Sequence, residues 1–143
     1  MTSLSIYFGK ADVQTDTGID IKDITGHLKA LIAASGITDG NLNATVIGST
    51  GSVTTIEYEP GVVEDLKRTI NRLAPPDQVY EHEKAWHDGN GHSHVQAALL
   101  GPSVSIPVRK GKPVLGTWQQ VVVINHDNSS RKRVVEVTII GTL

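Results

Sequence analysis

The sequence contains no cysteine. This absence excludes disulfide bonds, iron–sulfur clusters, thiolate metal ligands and a cysteine nucleophile. Any metal ion would therefore have nitrogen and oxygen ligands. The sequence also lacks an apolar run near the ~20 residues that a membrane-spanning helix needs, and residues 1–5 show neither the basic stretch nor the apolar region of a signal peptide. We therefore expect a soluble, cytoplasmic protein.

An excess of positive charge is also absent. The 13 Lys and Arg residues against 15 Asp and Glu residues give a net charge of −2. No general positive field attracts the chain to nucleic acid or to a membrane surface, and we expect neither as a partner. With 143 residues, 38% of them hydrophobic and without a linker-like composition shift, residues 1–143 are expected to form a single domain.

The apolar pattern predicts two main helices. Apolar residues at helical spacing predict the first over residues 20–35, with Asp20 or Asp23 as its N-cap, and the second from Pro60 to the prolines at 75 and 76. Residues 77–92 have neither helical nor strand periodicity, which favours an ordered loop, and a short helix or turn follows over residues 95–100. The helices lie among strands rather than alternating with each of them.

β-Branched and alternating segments predict the strands. The first is an edge-forming strand over residues 3–8 that ends at Gly9, and the others cover residues 43–48, 52–58, 104–108, 117–124 and 133–140. The last two are expected to pair through a turn at residues 125–130. This order predicts an α+β fold with a sandwich-like, largely antiparallel sheet.

Histidines are concentrated in one segment. Four of the six, His82, His87, His92 and His94, fall within residues 82–94. Neutral imidazole is the commonest nitrogen ligand for zinc and similar ions, and a glycine-containing loop can bring such residues together. The spacing differs from the HExxH pattern of metalloproteases. The cluster favours a metal or catalytic site, with the alternative that the histidines only cap helix ends and satisfy backbone groups.

Two acidic residues follow a predicted strand. On a continued strand, Glu57 and Glu59 share one face, where Glu57 could act as a general base or an oxygen ligand. The alternative is a solvated face, with Glu59 placed before the Pro60 helix because helix N-termini favour acidic groups.

Small and basic residues suggest an anion site. The backbone amides and hydroxyls of residues 48–52, Gly-Ser-Thr-Gly-Ser, could surround an anion, although a tight turn is the simpler interpretation. Arg131 and Arg133 would suit a phosphate if they met on one surface, and would otherwise be solvated. The P-loop and dinucleotide fingerprints are missing. Ser103 lacks the GxSxG context of a hydrolytic nucleophile.

The longest motif lies in the last third of the chain. Residues 101–111 (GPSVSIPVRKG), followed by residues 115–119 (LGTWQ), resemble the signature of the YjbQ family, also called the secondary thiamine-phosphate synthase enzyme family. The resemblance extends over nearly the whole chain, and the form of residues 86–94 (WHDGNGHSH) looks like the archaeal branch. The matching positions are the Tyr-x-His at Tyr80 and His82, the Asn-x-x-x-His at Asn90 and His94, the strand-terminal Glu57 and the arginine pair Arg131 and Arg133.

The resemblance implies a small α+β homotrimer with a polar pocket near the subunit boundaries. It also implies a weak thiamine-phosphate synthase activity, which joins a pyrimidine pyrophosphate to a thiazole phosphate. The phosphate groups are expected to bind Arg131 and Arg133. A divalent cation, zinc or magnesium, and the groups that transfer protons are expected at Glu57, His82 and His94. Further expected metal ligands are His87 and His92, and expected substrate contacts are Ser49, Thr50, Asn90, Ser103 and Gln119.

One position departs from the family pattern, and one alternative function remains. Gly48 stands where many members have a histidine, so a site that needs this histidine would have to use His87 or His92 instead. The alternative is a metal- or metabolite-binding trimeric protein without synthase activity in vivo.

Overall fold

Residues 3–143, the part that the computed structural model describes, form two antiparallel sheets and four helices. The strands are β1 (Ser5–Thr15), β2 (Asp20–Asp23), β3 (Asp39–Val46), β4 (Gly51–Glu57), β5 (Ser103–Arg109), β6 (Lys112–Pro113), β7 (Gln119–Asn125) and β8 (Arg131–Thr142). The helices are α1 (Thr25–Ser35), α2 (Pro60–Leu73), α3 (Glu81–Trp86) and α4 (Gly91–Leu100). The predicted α+β class is confirmed; α3 is a helix that the pattern did not predict, and α4 corresponds to the predicted short helix or turn over residues 95–100.

The two sheets differ in how they are covered. The larger has the order β1-β8-β3-β5-β6, and the smaller has the order β2-β7-β4. The main core contains apolar residues of both sheets together with Leu28 and Ile32 of α1. A second apolar cluster joins Val122 and Ile124 of β7 to residues of α2 and α4. Strand β7 is therefore covered on both faces, which explains why residues 121–124 form an unbroken apolar run.

The predicted pairing of the last two long strands is wrong. Strand β7 lies at the centre of the smaller sheet, whereas β8 lies between β1 and β3 in the larger one. Residues 126–130 therefore cross from one sheet to the other instead of closing a hairpin. The sequence could not show this because both strands are apolar enough to be central in a sheet.

The first strand and first helix have other boundaries than predicted. Strand β1 is an edge strand, as expected, but it continues through Gly9 to Thr15. A side chain at position 9 would collide with Leu31 of α1, with only 2.8 Å from the added Cβ to a Leu31 methyl group. Residues 20–23 are strand β2 rather than helix, because Ile21 pairs with Ile124 and is buried there.

The histidine-rich segment is mostly helical, contrary to the predicted loop. Helix α3 has no buried residue and therefore no apolar periodicity. The Glu83 carboxylate instead accepts hydrogen bonds from the backbone of Gly89 (2.7 Å) and Gly91 (2.8 Å), which folds the following turn against the helix. Helix α4 then begins at Gly91, four residues earlier than predicted.

Helix α2 begins where the sequence indicates. Pro60 occupies its first turn, and the Glu59 carboxylate accepts hydrogen bonds from the amides of Gly61 (2.8 Å) and Val62 (2.9 Å). Glu59 is thus an N-cap, the alternative role that the sequence left open. Among residues 3–143, no helix combines the length and apolar character required to cross a membrane.

Candidate functional site

A polar pocket lies where two connections between the sheets run side by side. Residues 47–50 lead from β3 to β4, and residues 126–130 lead from β7 to β8. The backbone amide of His126 donates to the Thr50 carbonyl at 2.8 Å, which joins the two connections. The pocket is lined by Gly48, Ser49, Thr50, Asp88, Asn90, His94, Asp127, Arg131 and Arg133.

Asp127 is the buried centre of this pocket. One carboxylate oxygen accepts from the Thr50 hydroxyl at 2.9 Å and lies 3.2 Å from Nε of Arg131. The other oxygen accepts hydrogen bonds from the side-chain amide of Asn90 (3.2 Å) and from the backbone N–H of Ser129 (2.9 Å). Its side chain is only 3% exposed. Asp127 thus connects both crossing segments to the start of α4 and to β8.

The environment of Asp127 keeps its carboxylate ionised. Burial alone would raise the pKa of Asp127. Hydrogen bonds from Asn90, Ser129 and Thr50, together with the positive charge of Arg131, outweigh burial and hold the pKa below its ordinary value. A fixed negative charge therefore orients the groups of the pocket at neutral pH.

Arg133 is buried beside Asp127. Its Nη2 donates to the Thr50 hydroxyl at 2.7 Å and to the Asn125 side-chain oxygen. Its buried Nε has no hydrogen-bond partner among the described residues. Burial lowers the pKa of Arg133, and the charge of Asp127 opposes this effect. The guanidinium is protonated throughout the physiological range, so the pocket contains a buried positive charge.

Gly48 makes room for this guanidinium. Its φ of +120° is a backbone conformation that side-chain-bearing residues rarely adopt. A Cβ added at this position would lie 3.0 Å from Nη1 of Arg133. The position where the YjbQ resemblance leads one to expect a histidine is thus next to Arg133, whose Nη1 faces the space left by the missing side chain.

A fully buried chain of polar side chains lies behind the pocket. Gln96 donates through its amide nitrogen to Ala74 and Asn71, so its oxygen accepts from Nδ1 of His126 at 3.0 Å. Nε2 of His126 then accepts from the Ser52 hydroxyl at 2.8 Å. Burial, followed by the charge of Arg133, lowers the pKa of His126 to about 4. Although Ser52 faces a histidine as a nucleophile would, it is completely buried and acts structurally.

A second group of polar side chains lies at the rim of the pocket. Nδ1 of His82 lies 3.4 Å from an Asp88 oxygen and 3.7 Å from a Glu83 oxygen. The His94 ring packs against the His82 ring with centroids 4.6 Å apart. Hydrogen bonds from the Gly89 and Gly91 amides lower the pKa of Glu83. Asp88 belongs to both this group and the pocket lining.

The other two histidines of the segment have different surroundings. His87 ends α3 in a left-handed conformation (φ 53°) and is exposed. His92 contacts the Tyr80 ring, and burial lowers its pKa against the opposing charges of Glu83 and Asp127. Neither belongs to the group of mutually close ligand atoms formed by His82, Glu83 and Asp88 within the described residues.

Six predicted site residues are not part of the pocket lining: His82, His87 and His92, described above, and Glu57, Gln119 and Ser103. Glu57 is exposed at the opposite end of β4, where it pairs with Gln119 of β7. Gln119 donates to Thr55 and accepts from the Gly116 amide. Ser103 is exposed at the start of β5. The lining does include six predicted residues: Ser49, Thr50, Asn90, His94, Arg131 and Arg133.

Sequence reasoning missed Asp127, His126 and Asp88. The first two fall in the predicted turn at residues 125–130, and the histidine cluster by itself gives Asp88 no role. The available signal was the polar series Asn-His-Asp directly after an apolar strand at residues 121–124. Polar residues at the end of a doubly covered strand must find partners, and such residues often form sites.

The fold and the pocket define a small α+β protein with a polar site at the seam of two antiparallel sheets. The family model described as UPF0047 protein YjbQ-like matches residues 9–142. The chain therefore belongs to the YjbQ-like UPF0047 family.

Curated proteins and solved structures agree with this assignment. The UPF0047 protein Mb2586c of Mycobacterium bovis is 40% identical over 78% of this chain and 85% of its own length. A UPF0047 protein of Methanothermobacter thermautotrophicus is 30% identical over 92% and 90%, respectively. The crystal structure of a YbjQ-like protein of unknown function from Sulfolobus solfataricus superposes with a TM-score of 0.92 at 32% identity, covering 97% of this chain and 99% of that one.

Buried His126 should make stability depend on pH. Its folded-state pKa of about 4 lies below the ordinary 6.5, so between these values the unfolded state binds a proton that the folded state excludes. The contribution of His126 to the free energy of unfolding is therefore fully present above about pH 6.5 and decreases as the pH falls below that value. From about pH 7 to about pH 5 we expect a loss of about 2 kcal/mol from this group.

Urea denaturation of the wild type, His126→Gln and His27→Gln at both pH values tests this expectation. The His126→Gln protein should show a smaller pH-dependent change, whereas substitution of the exposed His27 should leave the change as in the wild type. Equal pH dependence in all three proteins would show that His126 does not titrate as described.

Proposed function

We propose that the pocket binds the phosphate or diphosphate group of a small metabolite and that the protein is an enzyme acting on it. The observation that carries this proposal is that Arg131 and Arg133 line one pocket together with the turn at residues 48–50. Guanidinium groups match phosphate geometry and are charged at any physiological pH.

Two further features favour an anion. Helix α4 begins at the pocket with Asn90 as its N-cap residue, and helix N-termini carry a partial positive charge. The Asp127 carboxylate already has partners in its hydrogen bonds and in the ion pair with Arg131, and its side chain is almost fully buried. The surface that a ligand would meet therefore includes guanidinium and hydroxyl groups and His94, together with the Asp88 carboxylate at the rim.

The family resemblance suggests thiamine-phosphate synthesis as the reaction. In it, the ring nitrogen of the thiazole phosphate forms a bond to the methylene carbon of the pyrimidine, while that carbon's bond to the pyrophosphate breaks. Arg131 and Arg133 would stabilise the charge of the leaving pyrophosphate, and His94 would donate a proton to an oxygen of that leaving group. The alternative is a metabolite-binding protein that holds the phosphate without this chemistry.

Removal of the accessible arginine should weaken anion binding. Calorimetric titration with inorganic pyrophosphate is expected to show a decrease in affinity of about tenfold or more for Arg131→Gln, because a charge-assisted hydrogen bond is lost. Lys132→Gln is the matched control, since Lys132 lies on the opposite face of β8 and its ammonium group is 3.7 Å from Asp12. Equal losses in both variants would indicate only a general charge effect.

The synthase activity separates the enzyme from the binding protein. Thiamine phosphate formation should be measurable with the wild type and with Lys132→Gln, and His94→Gln should reduce it at least tenfold if His94 transfers a proton. Pyrophosphate binding without product in the wild type would favour the binding protein. Equal rates for the wild type and His94→Gln would exclude His94 from the mechanism.

We further propose that the protein works as the homotrimer that the resemblance implies. Large apolar side chains are exposed on the outer face of the larger sheet, where Ile6 pairs with Ile140 and Phe8 is 75% exposed. Such exposure favours an interface. Sedimentation equilibrium is expected to give about three times the 15.3 kDa chain mass. A monomer at micromolar concentration would contradict this proposal.

A further inference from the structure

A group of metal-ligating atoms lies at the rim of the pocket. Nδ1 of His82 and one carboxylate oxygen each from Glu83 and Asp88 lie within 4.8 Å of one another. Nδ1 of His82 lies 3.4 Å from Oδ1 of Asp88 and 3.7 Å from Oε1 of Glu83. Ligands about 2.0–2.1 Å from a tetrahedral ion are separated by roughly 3.3–3.4 Å, close to the shorter of these distances.

The burial of the His82 Nδ1 atom is a second observation at the same group. Its Nδ1 atom is buried and has no hydrogen-bond partner among the described residues, although two carboxylates lie nearby. A buried polar atom without a partner is unfavourable and is rare in native structures. A cation bound by Nδ1 and the two carboxylates would provide the missing partner.

The backbone fixes these ligands before any ion binds. The Glu83 carboxylate is held by the amides of Gly89 and Gly91, and each carboxylate oxygen retains a lone pair after accepting one hydrogen bond. The Asp88 carboxylate accepts a hydrogen bond from the backbone N–H of Asn90 at 3.1 Å. Because the ligands are already oriented, ion binding requires little further ordering.

We propose that His82, Glu83 and Asp88 form a zinc site at the rim of the phosphate pocket. A nitrogen and two oxygen ligands suit zinc, whereas magnesium prefers oxygen ligands and retained waters. Three protein ligands leave a coordination position for water or a substrate oxygen. Asp88 also lines the anion pocket, so a phosphate could approach the ion there.

This ligand set differs from the four histidines that the sequence suggested. His87 and His92 lie outside the group, and His94 lines the pocket beside the His82 ring. The site extends the proposed phosphate function, but zinc binding alone does not require that function to be correct.

Calorimetric titration of chelator-treated protein with zinc chloride, without phosphate, tests the site. We expect one ion per chain, with an affinity at least tenfold weaker in His82→Gln and in Asp88→Asn. His27→Gln and Asp77→Asn change exposed residues of the same types and should bind like the wild type. Pyrophosphate titration of the same chelator-treated protein reports separately on the anion pocket.

Three outcomes would overturn the zinc site. These are no zinc binding by the wild type, unchanged binding in both His82→Gln and Asp88→Asn, or a loss confined to His87→Gln and His92→Gln. A variant that does not fold would also fail to bind zinc, so a thermal unfolding curve of each variant must show that it is folded at the titration temperature. Glu83→Gln provides a third ligand variant.

Discussion

The pocket depends on one buried carboxylate. Asp127 receives hydrogen bonds from Thr50, Asn90 and Ser129 and pairs with Arg131, so that a single side chain joins both intersheet connections, helix α4 and strand β8. A buried charge is stable only when it is paired and hydrogen-bonded. The need to satisfy Asp127 therefore keeps the walls of the pocket in one arrangement.

The topology of the sheets explains why the pocket lies at their seam. Strands β3 and β8 belong to the larger sheet, and β4 and β7 belong to the smaller one. Both connections must leave one sheet and enter the other at the same end, where backbone groups and polar side chains no longer take part in the ladders. Gly48 at positive φ allows one of these turns to approach Arg133 closely.

The sequence predicted part of the site because the relevant residues are unusual in type and spacing. Arg131 and Arg133 alternate on a strand, and Asn90 and His94 are separated by about one helical turn, so each pair shares a face. The strand pattern and the family motif both predict a role for Glu57, and the motif region contains Gln119, yet the two residues pair with each other at the other end of the smaller sheet, away from the pocket lining. The apolar pattern did not predict helix α3, because this helix has no apolar face and is stabilised by hydrogen bonds to the Glu83 carboxylate.

The sequence by itself determined the fold class, the absence of thiolate chemistry and the family. These properties follow from composition, from local periodicity and from motifs of a few consecutive residues. Only the tertiary structure decided that β7 and β8 occupy different sheets and that Asp127 is buried. It also decided that the ligand atoms close to His82 belong to Glu83 and Asp88 rather than to His87 or His92. The reason is physical: both strands are apolar enough to occupy a sheet interior, and a polar turn gains partners only when distant segments meet it.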